Sequence, residues 1–318
     1  MKRLTSILLI TVLMITLLTG CGKNRLLYKN ANLKNYVEIG EYLGIEVDTD
    51  SDEYAKYYTE ILSIDIEDND LYKEVKEGTV ANGDIVNLDY EGKLDGVAFE
   101  GGTAKGADLE IGSGTFIDDF EQELIGVAVG ETKDVTATFP NPYTNNPDLA
   151  GKEAIFTCKI NYIKKAMTEE EAYEEMDFDT AEDYIADINE RAIKAYILDT
   201  VCENAKFSDY PAEDSEKLRD AIFEFYVDAY KTSYNVDLEE LLVANGSTVE
   251  EYKSQISSQM VPSMMETNMV MYYILDTEGL ELLESTVESQ DAEQPIIAES
   301  YAVQDIVLEY LYDNAEIK

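Results

Sequence analysis

The 318-residue sequence predicts an α+β protein, in which an antiparallel sheet with a short helix is followed by an all-helical region. Two patterns predict this order. Between residues 79 and 165, short runs of alternating apolar residues are separated by glycine-rich turns, which is typical of antiparallel strands. From residue 166 to 318, apolar residues recur at helical spacing instead. Hydrophobic residues make up 45% of the chain, so the composition is globular.

The chain is predicted to begin with a lipoprotein signal peptide at residues 1–20. Lys2 and Arg3 precede an apolar run, Ile7–Leu18, which is shorter than the roughly 20 residues of a membrane-spanning helix. The sequence Leu18-Thr19-Gly20-Cys21 then resembles the bacterial lipobox, in which the cysteine thiol receives a diacylglycerol. We therefore expect lipidation at Cys21 and a lipid-anchored location at the extracytoplasmic face of the cell membrane.

The rest of the chain is predicted to form four segments: a tether at 21–32, a linker with a helical piece at 33–78, the sheet domain at 79–165 and the helical domain at 166–318. In the linker, Tyr54, Tyr58 and Ile61 recur at the spacing of one helix face.

Charge and residue usage exclude several classes of function. Acidic residues outnumber basic ones by 67 to 24, and the formal net charge of −43 repels phosphate backbones, so nucleic acid is not an expected partner. The chain contains no histidine and no Cys-x-x-Cys motif, which excludes a Cys/His zinc site, a Ser-His-Asp triad and a Cys–His pair. Nothing in the spacing of Cys158 and Cys202 suggests a disulfide, and we expect two separate buried thiols.

Five motifs occur in order across the sheet region: Gly83–Gly92, Asp95–Gly102, Ile111–Glu121, Phe139–Tyr143 and Leu149–Lys152. Together they resemble the FKBP-type peptidyl-prolyl isomerases, and most closely the version found inside trigger factor. The resemblance implies an FKBP-like antiparallel sheet with a short helix, and peptidyl-prolyl cis-trans isomerase activity that requires no metal and no cofactor.

The resemblance also implies which residues form the site. The proline pocket would be lined by Tyr90, Phe99, Phe116, Ile117, Phe120, Tyr143 and Phe156. Phe120 would form its floor, while the backbone amide of Ile117 and the hydroxyl of Tyr143 would donate hydrogen bonds to substrate. Glu100 stands where stand-alone members usually carry aspartate.

The helical region resembles the C-terminal chaperone domain of trigger factor. Five methionines, Met271 among them, crowd one predicted helix. Flexible thioethers suit the binding of varied apolar segments, although ordinary helix packing is the alternative explanation. The expected client-binding residues are Met260, Met264, Met265 and Met269. Because a signal peptide and tether stand where trigger factor carries its ribosome-docking domain, we expect no ribosome docking.

These observations support a leading hypothesis and two alternatives. The leading hypothesis is an extracytoplasmic, lipid-anchored foldase that isomerises and chaperones unfolded or proline-containing polypeptides. The first alternative is a holdase chaperone with a vestigial isomerase pocket, because Ala107 stands where the family places an aromatic wall residue. The second is a non-enzymatic binding lipoprotein of the cell envelope.

Overall fold

The computed structural model describes residues 26–144, 146–282 and 294–318, which form an α+β fold with an antiparallel sheet and a helical C-terminal region, as predicted. The predicted signal peptide and Cys21 lie outside the described residues, and lipidation of Cys21 stays a prediction.

The strands of the described residues are β1 (Val37–Glu38), β2 (Glu46–Val47), β3 (Tyr72–Val75), β4 (Ile85–Leu94), β5 (Val97–Glu110), β6 (Thr132–Thr138), β7 (Glu153–Ala166), β8 (Lys206–Phe207) and β9 (Glu316–Ile317). The helices are α1 (Tyr54–Asp68), α2 (Asp118–Leu124), α3 (Glu169–Ala172), α4 (Ala181–Asn204), α5 (Ala212–Tyr234), α6 (Leu238–Ala244), α7 (Val249–Gln259), α8 (Val261–Glu278) and α9 (Pro295–Asp313).

The described residues divide into two compact units, and the predicted domain bounds of 33–78, 79–165 and 166–318 stay a prediction. One unit, here called the sheet unit, contains residues 60–188. The other, the helical unit, contains the described residues between 26 and 59 together with those between 189 and 318. The physical reason is strand pairing, because β1 pairs antiparallel with β8 and β2 pairs parallel with β9. Residues that precede the sheet in sequence are thereby held to the C-terminal region.

The sheet unit is organised by its longest strands. The strand order is β3-β7-β4-β5, and β6 pairs with the first half of β7, all antiparallel. Alternation along β4 directs Val86 and Leu88 into the core, where both are fully buried. Phe120 and Leu124 of α2 belong to the same core cluster. The short helix therefore closes one face of the sheet.

A break in the register of β4 against β5 lies beside Tyr90. Leu88 pairs with Ala107, but Tyr90 pairs with Ala104, so β5 contains one extra residue at this point. The side chain of Asn87 donates to the carbonyl of Gly106 at 3.0 Å, and the N–H of Gly106 donates to the carboxylate of Asp89 at 2.8 Å. These bonds hold the irregularity and so determine where β5 runs relative to Tyr90.

Helices α5, α8 and α9 contribute buried residues to the core of the helical unit. Leu218 and Ile222 of α5, Met269 of α8 and Val303 and Val307 of α9 are buried there. No helix among the described residues combines the length and the apolar character needed to cross a membrane.

Neither described cysteine forms a disulfide, as expected from their spacing. Cys158 lies buried in β7, and Cys202 is partly buried in α4. Burial raises the pKa of each thiol to about 12, so both stay protonated at neutral pH. They are therefore inert packing residues rather than nucleophiles.

Candidate active site

The sheet unit contains a cavity of about 840 Å³. The structure places all the residues expected from the FKBP resemblance around this cavity: Tyr90, Phe99, Glu100, Phe116, Ile117, Phe120, Tyr143 and Phe156. Their roles toward a substrate stay predictions. Phe120 is completely buried, whereas Glu100 is exposed. Phe120 is thus the deepest of these groups, in the position expected for a floor.

Seven of the residues that line the cavity are aromatic. Phe116 stacks on Phe120 with ring centroids 4.9 Å apart, and Phe156 meets Phe120 edge to face at 5.1 Å. Tyr90 lies edge-on to Phe116 at 5.5 Å. Each such pair contributes about 0.5–1.5 kcal/mol beyond burial of its area, so the rings hold one another in place. Burial also raises the pKa of Tyr90, which keeps its hydroxyl neutral.

Phe139 is a cavity residue that the sequence reasoning missed. Its ring lies 5.8 Å from that of Phe99 and 5.0 Å from that of Tyr143, and only 6% of the residue is exposed. The alternation of buried Val135, Ala137 and Phe139 along and just beyond β6 could have revealed it. The other cavity residues without a prior assignment are Gly101, Gly114, Thr115, Asp119, Thr138, Pro140, Asn146 and Leu149.

Two glycines allow the aromatic rings to pack directly against the backbone. A Cβ at Gly92 would lie 2.5 Å from Cε1 of Phe156 and 3.0 Å from Cζ of Phe99. A Cβ at Gly102 would lie 2.7 Å from the ring of Phe99. Since these distances are shorter than any van der Waals contact, a larger residue at either position would push the rings out of place.

Glu121 fixes the loop that carries Phe116 and Ile117 into the cavity. Its carboxylate is 2% exposed and accepts the backbone N–H groups of Gly112 at 2.8 Å, Gly114 at 3.2 Å and Phe116 at 2.8 Å. Burial alone would raise the pKa of Glu121, but these hydrogen bonds outweigh it, and the pKa is lowered. Glu121 lies within a motif carried over from the family, yet the sequence reasoning assigned it no role.

The expected hydrogen-bond donors remain accessible to a bound chain. Within the described part of the chain, neither the N–H of Ile117 nor the hydroxyl of Tyr143 donates to a protein acceptor. Ile117 immediately precedes α2 with extended backbone angles (φ −62°, ψ 136°). Both donors belong to residues that line the cavity, where they can meet the carbonyl oxygens of an extended peptide.

Ala107, which motivated the hypothesis of a vestigial pocket, does not line the cavity. It pairs with Leu88 in the β4–β5 ladder. The alanine therefore contributes no side chain to the wall, as expected. The aromatic rings listed above nevertheless enclose the cavity without it.

The four methionines expected to bind clients differ in how deeply they are buried. Met265 and Met269 are fully buried within α8, so they cannot meet a client while the helical unit is closed. The burial of these two residues favours the alternative of ordinary helix packing, because α8 lies in the core and is apolar around much of its circumference. Met260 and Met264 are half-buried.

Comparison with known proteins identifies relatives of both regions. Residues 76–161 match the family model for FKBP-type peptidyl-prolyl cis-trans isomerases. Trigger factor of Macrococcus caseolyticus is 32% identical over 317 residues, which cover 93% of this chain and 72% of the relative. Trigger factor of Clostridium perfringens is 45% identical over 183 residues, which cover 55% of this chain and 42% of the relative.

A solved structure described by substrate recognition of the trigger factor chaperone matches 87% of this chain and 72% of its own, at 14% identity. The TM-score is 0.29, so the likeness of the whole chains is weak.

These relatives contradict the expected place of action. They are trigger factors, which are cytosolic and bind ribosomes and nascent polypeptides. The expectations of an extracytoplasmic, lipid-anchored foldase, of a membrane partner and of no ribosome docking are therefore wrong. They relied on the lipobox-like sequence at Cys21 and on the N-terminal segments predicted beside it, neither of which the comparisons support.

Proposed function

Because the chain belongs to the trigger factor family, we propose that it accelerates the cis–trans isomerisation of X-Pro bonds in unfolded polypeptides and retains those polypeptides on its helical unit. Residues 76–161 are an FKBP-type domain, and the chain is a peptidyl-prolyl cis-trans isomerase. The proposal concerns its substrates and the assignment of roles to residues. The observation that carries it is the aromatic cavity above Phe120.

The chemistry of the reaction suits such a cavity. Rotation about a peptide bond has a barrier of about 18–20 kcal/mol, because the planar amide loses resonance when it twists. The twisted amide is less dipolar than the planar one. A cavity with aromatic walls therefore destabilises the planar ground state more than the transition state, which lowers the barrier. In the proposed complex, the prolyl ring rests on Phe120 between Tyr90 and Phe156.

Two donors orient the substrate in this scheme. The N–H of Ile117 donates to a carbonyl oxygen of the bound chain, and the hydroxyl of Tyr143 donates to a second one. Holding the prolyl ring and the carbonyl groups while the residue before proline turns restricts motion to the reacting bond. No side chain accepts or loses a proton during the reaction, in agreement with a chain that lacks histidine.

The proposal is tested by two assays on the full chain. Isomerisation of an X-Pro tetrapeptide, measured by NMR exchange, is expected to be faster than the uncatalysed process, which takes roughly 10–100 s. Aggregation of a permanently unfolded protein, measured by light scattering, is expected to decrease in proportion to added chain. Folded protein that fails to accelerate isomerisation would contradict the assignment of the cavity, and undiminished aggregation would contradict the role of the helical unit.

A further inference from the structure

A short segment near the described N-terminus is buried in the helical unit although it belongs to no helix or strand. Leu27 is fully buried, and Tyr28 is 2% exposed. The next residues, Lys29 and Asn30, are exposed. The segment Leu26–Tyr28 is therefore seated among the helices much as a short bound peptide would be.

Two buried carboxylates hold the backbone of this segment. Glu299 of α9, which is 3% exposed, accepts the N–H of Leu26 at 2.8 Å and that of Leu27 at 3.4 Å. Asp214 of α5, which is 5% exposed, accepts the N–H of Tyr28 at 3.0 Å. Three successive amides thus donate to carboxylates from two helices. Because every residue except proline carries such an amide, these contacts require no particular side chain.

Side chains of α8 complete the site around Tyr28. Its ring lies edge-on to that of Tyr272, with centroids 5.0 Å apart, and its hydroxyl donates to Sδ of Met265 at 3.3 Å. Tyr272 in turn donates to Oε1 of Glu299 at 2.6 Å. An aromatic ring and a flexible thioether can adapt to different apolar side chains.

We propose that Asp214 and Glu299 form a backbone clamp that binds a short apolar–aromatic segment of an unfolded polypeptide, and that Leu26–Tyr28 occupy this clamp as an internal ligand until a client displaces them. This inference rests on the proposed function and specifies the client chemistry of the helical unit. Main-chain recognition beside an adaptable apolar surface is what a binder of varied sequences requires. Displacement of Tyr28 would also expose the sulfur of buried Met265, so that a bound client could contact it.

Competition with a tethered ligand makes the proposal measurable. A segment attached to the same chain is present at a high effective concentration, so a free peptide must bind more weakly to the intact protein than to a variant whose own segment is released. The double variant Leu27→Ser, Tyr28→Ala provides that release. The probe is a fluorescent peptide with the sequence of residues 26–32, and its binding is followed by fluorescence anisotropy.

The released variant is expected to bind the peptide at least tenfold more tightly than the wild-type chain. Adding Glu299→Gln to the released variant is expected to weaken binding about tenfold, because a hydrogen bond to a charged group is lost. Glu309→Gln, an exposed position on the same helix, is the matched control and is expected to leave binding unchanged. An N-acetylated form of the peptide that is N-methylated at its first three residues keeps its side chains but loses all three donors, and is expected not to bind. Equal binding of this peptide would overturn the clamp.

A second measurement needs no substitution, and it tests whether a client displaces Leu26–Tyr28 even if the double variant fails to fold. Hydrogen exchange at the amides of Leu27 and Tyr28 in the wild-type chain is expected to accelerate at least tenfold when the unlabelled peptide is in large excess. Unchanged exchange would show that the segment is a permanent structural element and would overturn the proposal. Isomerase activity is measured in parallel, since its loss counts against the proposed function, whereas loss of peptide binding alone counts against the clamp.

Discussion

Each unit contains a buried glutamate that accepts backbone N–H groups, but the two carboxylates hold segments at very different distances along the chain. In the sheet unit, Glu121 accepts amides from a loop that begins nine residues before it. In the helical unit, Glu299 accepts the amides of Leu26 and Leu27, which lie 273 and 272 residues away.

Because of this difference in sequence distance, the loop held by Glu121 is a permanent part of its unit, whereas the segment held by Glu299 can be exchanged for another chain. The loop at Gly112–Phe116 is connected to α2 through Ile117, so it cannot leave Glu121 without unfolding part of the site. The segment Leu26–Tyr28 has no such connection to α9, and another chain can supply the same donors. The same chemistry therefore makes a rigid scaffold in one unit and a site of exchange in the other. The following substitutions test this comparison.

Removal of a core aromatic from either unit should affect only the function of that unit. Phe120→Ala is expected to destabilise the sheet unit by about 3–5 kcal/mol and to lower isomerase activity at least tenfold, because it removes the cavity floor. Phe223→Ala, which removes an equally large side chain that is 2% exposed in α5, is the control. It is expected to destabilise the helical unit and leave isomerase activity unchanged. Urea unfolding by circular dichroism and NMR exchange of an X-Pro peptide measure the two effects. An equal loss of activity in both variants would break the comparison.

Glu121→Gln should loosen the loop that carries Phe116 and Ile117. We expect a loss of about 1–3 kcal/mol in the free energy of unfolding and a fall in isomerase activity, because buried amides lose a charged acceptor. Glu123→Gln, an exposed position on the same helix, is the control and should change neither quantity.

The same variant makes a prediction about pH. Since the pKa of Glu121 is lower in the folded than in the unfolded protein, its carboxylate stabilises the fold above the unfolded pKa of about 4.3. This contribution is lost as the pH falls through the folded pKa. Urea unfolding between neutral and acidic pH should therefore show a smaller acid-dependent loss in Glu121→Gln than in the wild type. Identical pH dependence would show that Glu121 does not hold the loop through its charge.

Gly92→Ala should displace the rings of Phe156 and Phe99 from the cavity wall. We expect a loss of about 1–3 kcal/mol in stability together with reduced isomerase activity, because the new methyl group overlaps both rings. Gly126→Ala is the control, since Gly126 has a positive φ of +85° but nothing within 4 Å of a new Cβ. That variant should lose stability through backbone strain and retain activity. Full activity in Gly92→Ala would indicate that the rings can move without consequence.

Tyr143→Phe should have the smallest effect, because it keeps the ring and removes only the hydroxyl. A lost hydrogen bond of about 0.5–1.5 kcal/mol corresponds to a fall in activity of up to about tenfold. Stability should be unchanged, which urea unfolding can verify. Tyr162→Phe, at a half-buried position of β7 outside the cavity, is the matched control. If both variants keep full activity, the hydroxyl of Tyr143 does not contribute to the reaction.

Much of the sheet unit could be predicted because the patterns that specify its strands and its cavity residues lie close together in the sequence. Alternating residues define the strands, and the ordered motifs identify eight residues that the structure brings to one cavity. Phe139 was missed although its alternation was visible, because the motif that contains it draws attention to Tyr143 instead. The close packing of Phe156 and Phe99 on Gly92 was not predictable, since these residues lie on three different strands, β7, β5 and β4.

The helical unit was much less predictable. Periodicity shows that a methionine lies on a helix, but not whether that face meets solvent or another helix. For this reason, the sequence left client binding and helix packing open for Met265 and Met269, which lie in the core. The predicted place of action is wrong, because the lipobox-like motif comprises only a few residues, whereas the similarity to a trigger factor covers 93% of the chain.

The amino-acid sequence by itself determined the α+β class, the membership of residues 76–161 in an isomerase family and the aromatic residues of its cavity. These depend on residues close in sequence, whose periodicity and order are visible without a structure. Only the tertiary structure decided that residues 26–59 join the C-terminal helices and that Glu299 holds the backbone of Leu26 and Leu27. Such contacts join distant positions through main-chain amides, which all residues other than proline share. No pattern of side chains in the sequence therefore predicts them.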